Sequence, residues 1–212
     1  MFEVKAENPS QAWLLASQLI INKGKKTTGF KWRNLLGLIV GIENPLQIDE
    51  KIHKAFCSVM EKKWGEGYRE WHKDYEKRIR EFGDEKIDQL KYVIQRFKKG
   101  RTFDDSVITI HCPIRDSGYL LKDPKRPRKP NYPCLIQMDF KLRNGKLNLF
   151  ATFRSHDFGR KAYGNYRWLG EILKEVCQKI KCEIEKLFVF SNSAFIRKDE
   201  IGKANRIFDK IK

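Results

Sequence analysis

The sequence lacks any uninterrupted apolar run of about 18 residues, which a membrane-spanning helix needs. Its first residues also lack the pattern of a secretion signal, so we expect neither a membrane span nor export. Cysteine is scarce: there are five, an odd number, and no two of them form a Cys-x-x-Cys pair. We therefore expect free thiols in a reducing cytosol, and hence a cytoplasmic protein.

Metal-binding and RNA-reading motifs are absent as well. Without Cys-x-x-Cys or His-x-x-x-His, the sequence does not predict a metal site. It also has no RNP-like aromatic strand or recognition-helix motif. The net charge of +17 does favour partners that carry phosphate, nucleic acid included. Because the 44 basic residues are interspersed with 27 acidic ones, we attribute most of that charge to an ion-pair-rich surface and do not expect nucleic-acid binding.

What the chain does contain is enough apolar material for a substantial core. With 212 residues, 41% of them hydrophobic, we predict one domain over residues 1–212. A basic, proline-rich segment at about 117–131 interrupts the pattern, and we predict an insertion there. The run KDPKRPRKP within it holds three prolines, which favour an extended loop over a helix. It could clamp a substrate phosphate or simply be a solvated loop.

Periodic apolar positions predict a mixture of helices and strands. The first helix is expected to start at a Ser10 cap, where Pro9 opens an amphipathic pattern. Further helices are predicted near residues 47–62, 68–82, 86–98 and 162–182, with strands over 32–42, 107–112 and 187–191.

The strongest local signal is the dipeptide Asn144-Gly145 between two alternating apolar runs, which predicts a β-hairpin with a type I′ turn. The register that follows puts Cys134 opposite Ser155, with Arg154 beside it, unless a bulge shifts the pairing by one position. The apolar cross-strand pairs expected on one face are Leu142–Leu147, Phe140–Leu149, Met138–Ala151 and Ile136–Phe153.

This placement suggests covalent chemistry. Cysteine attacks as the thiolate, which a nearby cation such as the Arg154 guanidinium favours. The guanidinium can also bind a phosphate or carboxylate with two donors at once. Cys134 with Arg154 and Ser155 thus indicates a covalent catalyst for an anionic substrate. The alternative is a buried structural cysteine beside a surface arginine.

These residues resemble the active-site core of the thymidylate synthases, closest to the short archaeal-type branch. In that family a Pro-Cys opens the catalytic strand, Arg-Ser-x-Asp follows twenty residues later, and an Asn lies eight residues after the Asp. Cys134, Arg154, Asp157 and Asn165 match those offsets. Weaker similarity at residues 75–79 and 87–90 extends the resemblance over roughly residues 64–196.

The resemblance implies a fold and a set of roles for the nucleotide. The fold is α/β (α+β), a twisted mixed β-sheet with flanking helices. Cys134 would add to C6 of the uracil ring of dUMP. Arg154 and Ser155 would bind the 5′-phosphate, with Arg154 also favouring the thiolate. Asn165 would hydrogen-bond the pyrimidine edge and favour uracil over cytosine.

The resemblance also implies a second substrate. Asp157 would hold the one-carbon donor, a reduced pterin of the methylene-tetrahydrofolate or methylene-tetrahydromethanopterin type, and no metal is implied. Tyr75 would belong to the group that manages protons at C5. The implied reaction is methylation of dUMP to dTMP. A pyrimidine nucleotide hydroxymethylase of the same fold is an alternative, as is a non-catalytic nucleotide- or nucleic-acid-binding homologue.

Two family features are missing. The phosphate-binding Arg-Arg pair is replaced by residues 102–106, with Arg101 the nearest substitute, and Phe195 occupies the position of a His-x-Tyr motif. The pair binds phosphate from the neighbouring subunit, so its absence makes a monomer at least as plausible as a homodimer. His156 occupies the variable position of Arg-Ser-x-Asp, where we predict a local contact rather than a catalytic base.

Overall fold

A computed structural model describes residues 1–26, 32–100, 105–117 and 132–212. Arg101 and nearly all of the predicted insertion at 117–131 lie outside the described residues. In chain order the elements are β1 (Phe2–Ala6), α1 (Pro9–Lys23), β2 (Lys25–Lys26), β3 (Trp32–Ile42), α2 (Glu50–Val59), α3 (Lys62–Gly65), α4 (Tyr68–Trp71), α5 (Lys73–Arg80), α6 (Gln89–Lys98), β4 (Val107–Thr109), a π-helical turn (Pro113–Ser117), β5 (Leu135–Arg143), β6 (Lys146–Phe153), β7 (His156–Asp157), α7 (Ala162–Ile180), β8 (Glu183–Arg197) and α8 (Lys198–Ile211).

The described strands form one mixed sheet of eight, in the order β1-β3-β8-β6-β5-β4, with β2 added to β3 and β7 to β8. The pairs β1–β3, β6–β8 and β7–β8 are parallel, and the others are antiparallel. The predicted fold class, a mixed sheet flanked by helices, is confirmed. None of the described helices is both long enough and apolar enough to cross a membrane.

The cap of helix α1 lies two residues earlier than predicted. Asn8, not Ser10, is the cap, and its side chain accepts a hydrogen bond from the Gln11 N–H at 3.1 Å. The reason is that Pro9 suits the first helical position, where its missing N–H removes nothing. Ser10 is instead fully buried and contacts the Tyr163 hydroxyl at 3.2 Å.

The β5–β6 hairpin turns at Asn144 and Gly145, whose φ angles of 51° and 75° fit a type I′ turn. The three predicted pairs nearest the turn are confirmed. The fourth is wrong, because a bulge between Leu135 and Gln137 makes Leu135 the partner of Phe153. The confirmed pairs are Leu142–Leu147, Phe140–Leu149 and Met138–Ala151.

The same bulge moves the cysteine relative to β6. Arg154, not Ser155, lies opposite Cys134, and its backbone N–H donates to the Cys134 carbonyl at 2.9 Å. The hairpin therefore brings the cysteine closer to the arginine than the regular register predicts.

Helix α7 lies over the sheet and meets the short helix α4 at Gly164. A Cβ at this position would lie 2.9 Å from side-chain atoms of both Trp71 and Tyr68, so only glycine allows the approach. The contact brings the residues after α4 against the first turns of α7, where the resemblance places functional residues.

Candidate active site

The predicted nucleophile, Cys134, lies just before β5, and Arg154 lies just after β6. A guanidinium nitrogen of Arg154, Nη2, is 3.9 Å from the Cys134 sulfur, a charge-assisted contact to a thiol that is partly exposed. Cys134 and Arg154 are therefore in contact through their side chains as well as through their backbones.

Arg154 is held in place by the residues that precede the cysteine. Its Nε donates to the Pro133 carbonyl at 2.8 Å and its Nη2 to the Tyr132 carbonyl at 3.4 Å. The guanidinium also lies over the Tyr132 ring, 4.3 Å from its centroid. These contacts fix the charge beside the sulfur without requiring a bound ligand.

Tyr75 reaches the same place from α5. Its hydroxyl oxygen accepts hydrogen bonds from the N–H groups of Cys134 and Leu135, both at 3.2 Å. Burial raises the pKa of Tyr75 to about 12, with the neighbouring Cys134 adding to the rise, so the phenol stays protonated near neutral pH. Tyr75 thus holds the backbone at Cys134 in place.

A small cavity opens in front of Cys134. Its walls carry two further cations, Arg78 and Lys161, which the sequence did not single out. Arg78 is bound by the Asp116 carboxylate at 2.6 and 2.8 Å, whereas the Lys161 ammonium lies 5.7 Å from the centroid of the Trp71 ring. Since Asp74 also lines the cavity and Arg78 is paired, Lys161 is the cation of the lining that is best placed to meet an anionic ligand. Its lining includes Cys134, Tyr75, Arg78, Tyr132, Lys161 and Trp71.

Ser155, the other predicted phosphate ligand, is half-buried directly after Arg154. Phe195, at the position of the family's His-x-Tyr, stacks on Trp32 with ring centroids 4.5 Å apart and an angle of 17° between the planes. This position is thus used for aromatic packing. Any recognition of a sugar hydroxyl must come from other residues.

Asn165 sits in the second turn of α7 and is only 3% exposed. Its two amide ends contact two different buried histidines. His72 Nε2 lies 3.0 Å from Asn165 Oδ1, and His156 Nε2 lies 2.9 Å from Asn165 Nδ2. The contacts continue outward from His72 Nδ1 to the Tyr68 carbonyl at 2.6 Å and from His156 Nδ1 to the Ser191 hydroxyl at 2.9 Å.

Both histidines are held neutral by burial. Burial lowers the pKa of His72 to about 4 and that of His156 to about 3. The His72 ring is stacked between the indoles of Trp71 and Trp168, with centroid distances of 3.9 and 4.6 Å. His156 therefore makes more than the local contact predicted for it, since it joins Asn165 to a serine on β8.

Asp157, the predicted pterin contact, lies one residue beyond His156. Burial raises the pKa of Asp157 to about 6, and the nearby Glu200 carboxylate adds to the rise. Asp157 Oδ1 and Glu200 Oε2 are buried and have no hydrogen-bond partner in the described part of the chain, although Arg160 donates to the other oxygen of Glu200. An unpartnered carboxylate oxygen fits a ligand with an N–H donor, such as the amino-pyrimidone part of a pterin.

A cluster of metal-ligand types lies away from Cys134. His53 and Cys57 stand one helical turn apart on α2, and their ligand atoms lie within 4.8 Å of each other and of Glu66. The guanidinium of Arg167 is also close enough to lower the pKa values of His53 and Cys57, although burial leaves that of Cys57 raised. Since this positive charge opposes a cation, we assign no metal to the cluster.

Comparison with known proteins tests the resemblance to the thymidylate synthases. No model of a known protein family matches the chain. The chain is 28% identical over 205 residues to a protein of Methanosarcina acetivorans and 29% identical over 205 residues to one of Methanosarcina mazei. Each alignment covers 91% of this chain and 88% of the relative, and both relatives bear the name "Putative thymidylate synthase". The resemblance to thymidylate synthases is confirmed.

A third relative has a different name. Over 117 residues, 55% of this chain and 29% of the relative, the chain is 28% identical to a deoxyuridylate hydroxymethyltransferase of Bacillus phage SP01. Both names describe one-carbon transfer, so the similarity points to a one-carbon transferase. The thymidylate synthase relatives also extend the similarity beyond the motif-bearing part of the chain.

Four site residues escaped the sequence analysis, namely His72, Arg78, Lys161 and Glu200. Each reaches the site from an element whose position depends on tertiary packing. Lys161 was the easiest of them to predict from the sequence, because it lies four residues before Asn165 and so shares its helical face.

Proposed function

We propose that this chain is a thymidylate synthase, which transfers a one-carbon unit to C5 of dUMP and reduces it to give dTMP. The observation that carries the proposal is the contact of Cys134 with Arg154 beside a cavity that also holds Arg78 and Lys161. Along nine-tenths of its length the chain is similar to proteins named "Putative thymidylate synthase". Cys134 is also partly exposed, unlike the buried structural cysteine of the alternative.

Cys134 acts as the nucleophile. Its thiolate forms a bond to C6 of the uracil ring, and the electron pair of the C5–C6 double bond moves toward C5 and O4. C5 thereby becomes nucleophilic. After the one-carbon unit is attached and the C5 proton is lost, the sulfur leaves C6 with its electron pair. Covalent addition and elimination divide one difficult substitution into easier steps.

The other predicted residues bind and orient the substrates. Arg154 and Ser155 take the 5′-phosphate, with Arg78 and Lys161 as further cations in place of the missing arginine pair. Asn165 reads the pyrimidine edge.

For the second substrate, Asp157 accepts an N–H of the pterin, and a reduced pterin, when bound, supplies the one-carbon unit and the hydride. Tyr75 holds the backbone at Cys134 and can donate its hydroxyl proton into a water network near C5.

A second candidate is a hydroxymethylase acting on deoxyuridylate, in which water rather than hydride completes the transfer. The similarity to the phage hydroxymethyltransferase favours this alternative. Product analysis with dUMP and either type of methylene pterin separates the two, because one gives a methyl group and the other a hydroxymethyl group at C5.

The test of the proposal is release of bromide from 5-bromo-deoxyuridylate in the presence of excess thiol. This reaction needs the attacking cysteine but no pterin, since the external thiol takes the bromine after Cys134 has added to C6. We expect bromide release by the parent protein and none by Cys134→Ala. Cys112→Ala is the matched control and should keep the activity, because the described hydrogen bonds of Cys112 are made by its backbone, which alanine retains.

Folded parent protein that releases no bromide would instead support a non-catalytic, nucleotide-binding homologue. Equal activity in the parent and in Cys134→Ala would refute the assignment of the nucleophile.

A further inference from the structure

Five groups form a continuous hydrogen-bonded chain through the interior, which we call the histidine chain. It runs from the Tyr68 carbonyl through His72, Asn165 and His156 to the Ser191 hydroxyl, with successive distances of 2.6, 3.0, 2.9 and 2.9 Å. Its four side chains are at most 3% exposed. Water therefore cannot replace a mismatched contact, and the hydrogens must be arranged so that every donor meets an acceptor.

The Tyr68 carbonyl determines which nitrogen of His72 carries a hydrogen. It can only accept, so Nδ1 of His72 must carry a proton. A neutral His72 then has a lone pair at Nε2, and the Asn165 group that faces it has to be a donor. With the amide oxygen toward His72, as in the structure, His72 must instead carry a second proton.

The surroundings of His72 decide against the second proton. Its hydrogen-bond partners are a carbonyl and an amide rather than an anion, and the Lys161 ammonium lies close enough to disfavour another positive charge. Stacking between two indoles favours a cation. Full burial opposes it more strongly, in line with the lowered pKa of about 4.

We propose that His72 and His156 are positioning residues that lock the Asn165 carboxamide in one orientation, its NH₂ toward His72 and its oxygen toward His156, and thereby set which pyrimidine edge the protein accepts. In this arrangement His156 donates through Nε2, and its Nδ1 accepts from the Ser191 hydroxyl. A backbone carbonyl on α4 thus fixes, through the His72 ring, the orientation of an amide on α7.

The lock matters because the amide keeps one N–H and one oxygen lone pair for a ligand. A lactam edge, with a carbonyl beside an N–H as in uracil, needs this pair in one order. The amidine edge of cytosine needs the reverse order. An amide free to turn by 180° would serve both edges, whereas a locked one serves only one. The identity of the accepted edge, uracil, rests on the proposed function.

The arrangement of hydrogens can be observed directly by nitrogen-15 NMR of the imidazoles at pH 7. The protein has four histidines, so the signals can be assigned by their loss in His72→Phe and His156→Phe. We expect His72 to carry hydrogen on Nδ1 alone and His156 on Nε2 alone. Protons on both nitrogens of His72, or on Nδ1 of His156, would overturn the lock whatever the protein binds.

The consequence for recognition is measured by equilibrium binding of dUMP and dCMP. Phenylalanine keeps the ring stacking of each histidine but removes its nitrogens. We expect His72→Phe and His156→Phe to reduce the preference for dUMP over dCMP by about tenfold or more, chiefly by admitting dCMP. His53→Phe is the control and should leave the preference unchanged, because His53 contacts Tyr163 rather than the histidine chain.

The two failures are distinguishable. Parent protein that binds neither nucleotide would refute the proposed function, and with it the choice of edge. Variants that lose dUMP and dCMP in the same proportion would refute the positioning role, since a merely structural defect weakens both. Parent protein that prefers dUMP, with the expected NMR signals and an unchanged preference in both variants, would also refute it.

Discussion

Two buried polar regions meet near the start of α7, and they are built in opposite ways. In the histidine chain every described side-chain group has a partner at ordinary hydrogen-bond distance. In the second region, which we call the acid pair, Asp157 and Glu200 each leave a buried oxygen without a described partner. His156 and Asp157 are consecutive residues. Both ring nitrogens of the first have a hydrogen-bond partner, whereas a carboxylate oxygen of the second has none among the described residues.

The difference separates polar groups that satisfy one another from polar groups that lack a donor. A fully satisfied buried network is rigid. An unpartnered buried carboxylate destabilises the free protein, and this loss is recovered when a ligand supplies the missing donor. The comparison predicts that substitutions in the histidine chain lower stability, whereas substitutions in the acid pair raise it and weaken ligand binding.

The largest effect is expected from Asn165→Leu. The substitution leaves two buried histidine nitrogens without partners at once, so the free energy of unfolding should fall by about 3–5 kcal/mol. Urea denaturation at pH 7 measures it. Asn148→Leu is a matched control, since Asn148 is buried but bonds only Glu185 among the described contacts, and should lose about 1 kcal/mol. Equal losses would remove the distinction that we draw.

Acid should act on the two regions in opposite directions. Because burial lowers the pKa of His156 to about 3, the unfolded chain binds the proton first, and stability is lost as the pH falls below 6.5. At pH 5 the loss should be about 2 kcal/mol for this histidine. Chemical denaturation at pH 7 and pH 5 should therefore show a smaller decrease in His156→Phe than in the parent. An identical decrease would mean that His156 is already charged when folded.

Asp157→Asn should stabilise the free protein. Since burial and Glu200 raise the pKa of Asp157 to about 6, the parent loses stability as the pH rises from about 4 to about 6 and does not regain it above. Removing the charge should raise the free energy of unfolding at pH 7 by about 1–2 kcal/mol and flatten that part of the pH profile. Urea denaturation across this pH range, with the exposed Asp209→Asn as control, measures both. A loss of stability at pH 7 would show that the acid pair is satisfied.

The smallest effect is expected at the end of the histidine chain. Ser191→Ala removes the hydroxyl that contacts His156 Nδ1 and, in the proposed arrangement, donates to it. One acceptor is then left unpaired, so the free energy of unfolding should fall by about 1 kcal/mol. Differential scanning calorimetry can measure a change of this size. The NMR signal of the His156 Nε2–H should persist in the variant. If that hydrogen instead moves to Nδ1, the serine and not the amide sets the tautomer.

The sequence was most informative where structure is local. The Asn144-Gly145 turn and three of four cross-strand pairs follow from dihedral preferences and alternation, which involve only near neighbours. The bulge at the far end of the hairpin does not, because it depends on how β5 fits against both β4 and β6. This single irregularity decided whether Arg154 or Ser155 lies opposite the cysteine.

The candidate site was predictable in its sequence motif but not in its surroundings. Cys134, Arg154 and Asn165 stand at family offsets, and their roles stay predictions. His72 and Glu200 carry no such signal, since the first depends on the close approach of α4 to α7 at Gly164 and the second on the docking of α8. Strand β8 is longer than predicted because it pairs with three other strands, and these contacts support residues that alternation alone does not identify as strand.

The hydroxyl of Tyr75 fixes the main chain at Cys134, the proposed nucleophile, just before β5 begins. One oxygen accepts from two consecutive backbone N–H groups, and it belongs to a side chain 59 residues earlier than the cysteine. Tyr75→Phe removes this oxygen and with it both hydrogen bonds to the main chain at Cys134. We expect the sulfur to move away from the Arg154 guanidinium as a result. In the proposed reaction, Tyr75 therefore sets the position of the Cys134 sulfur first, and any effect on proton transfer follows from that position.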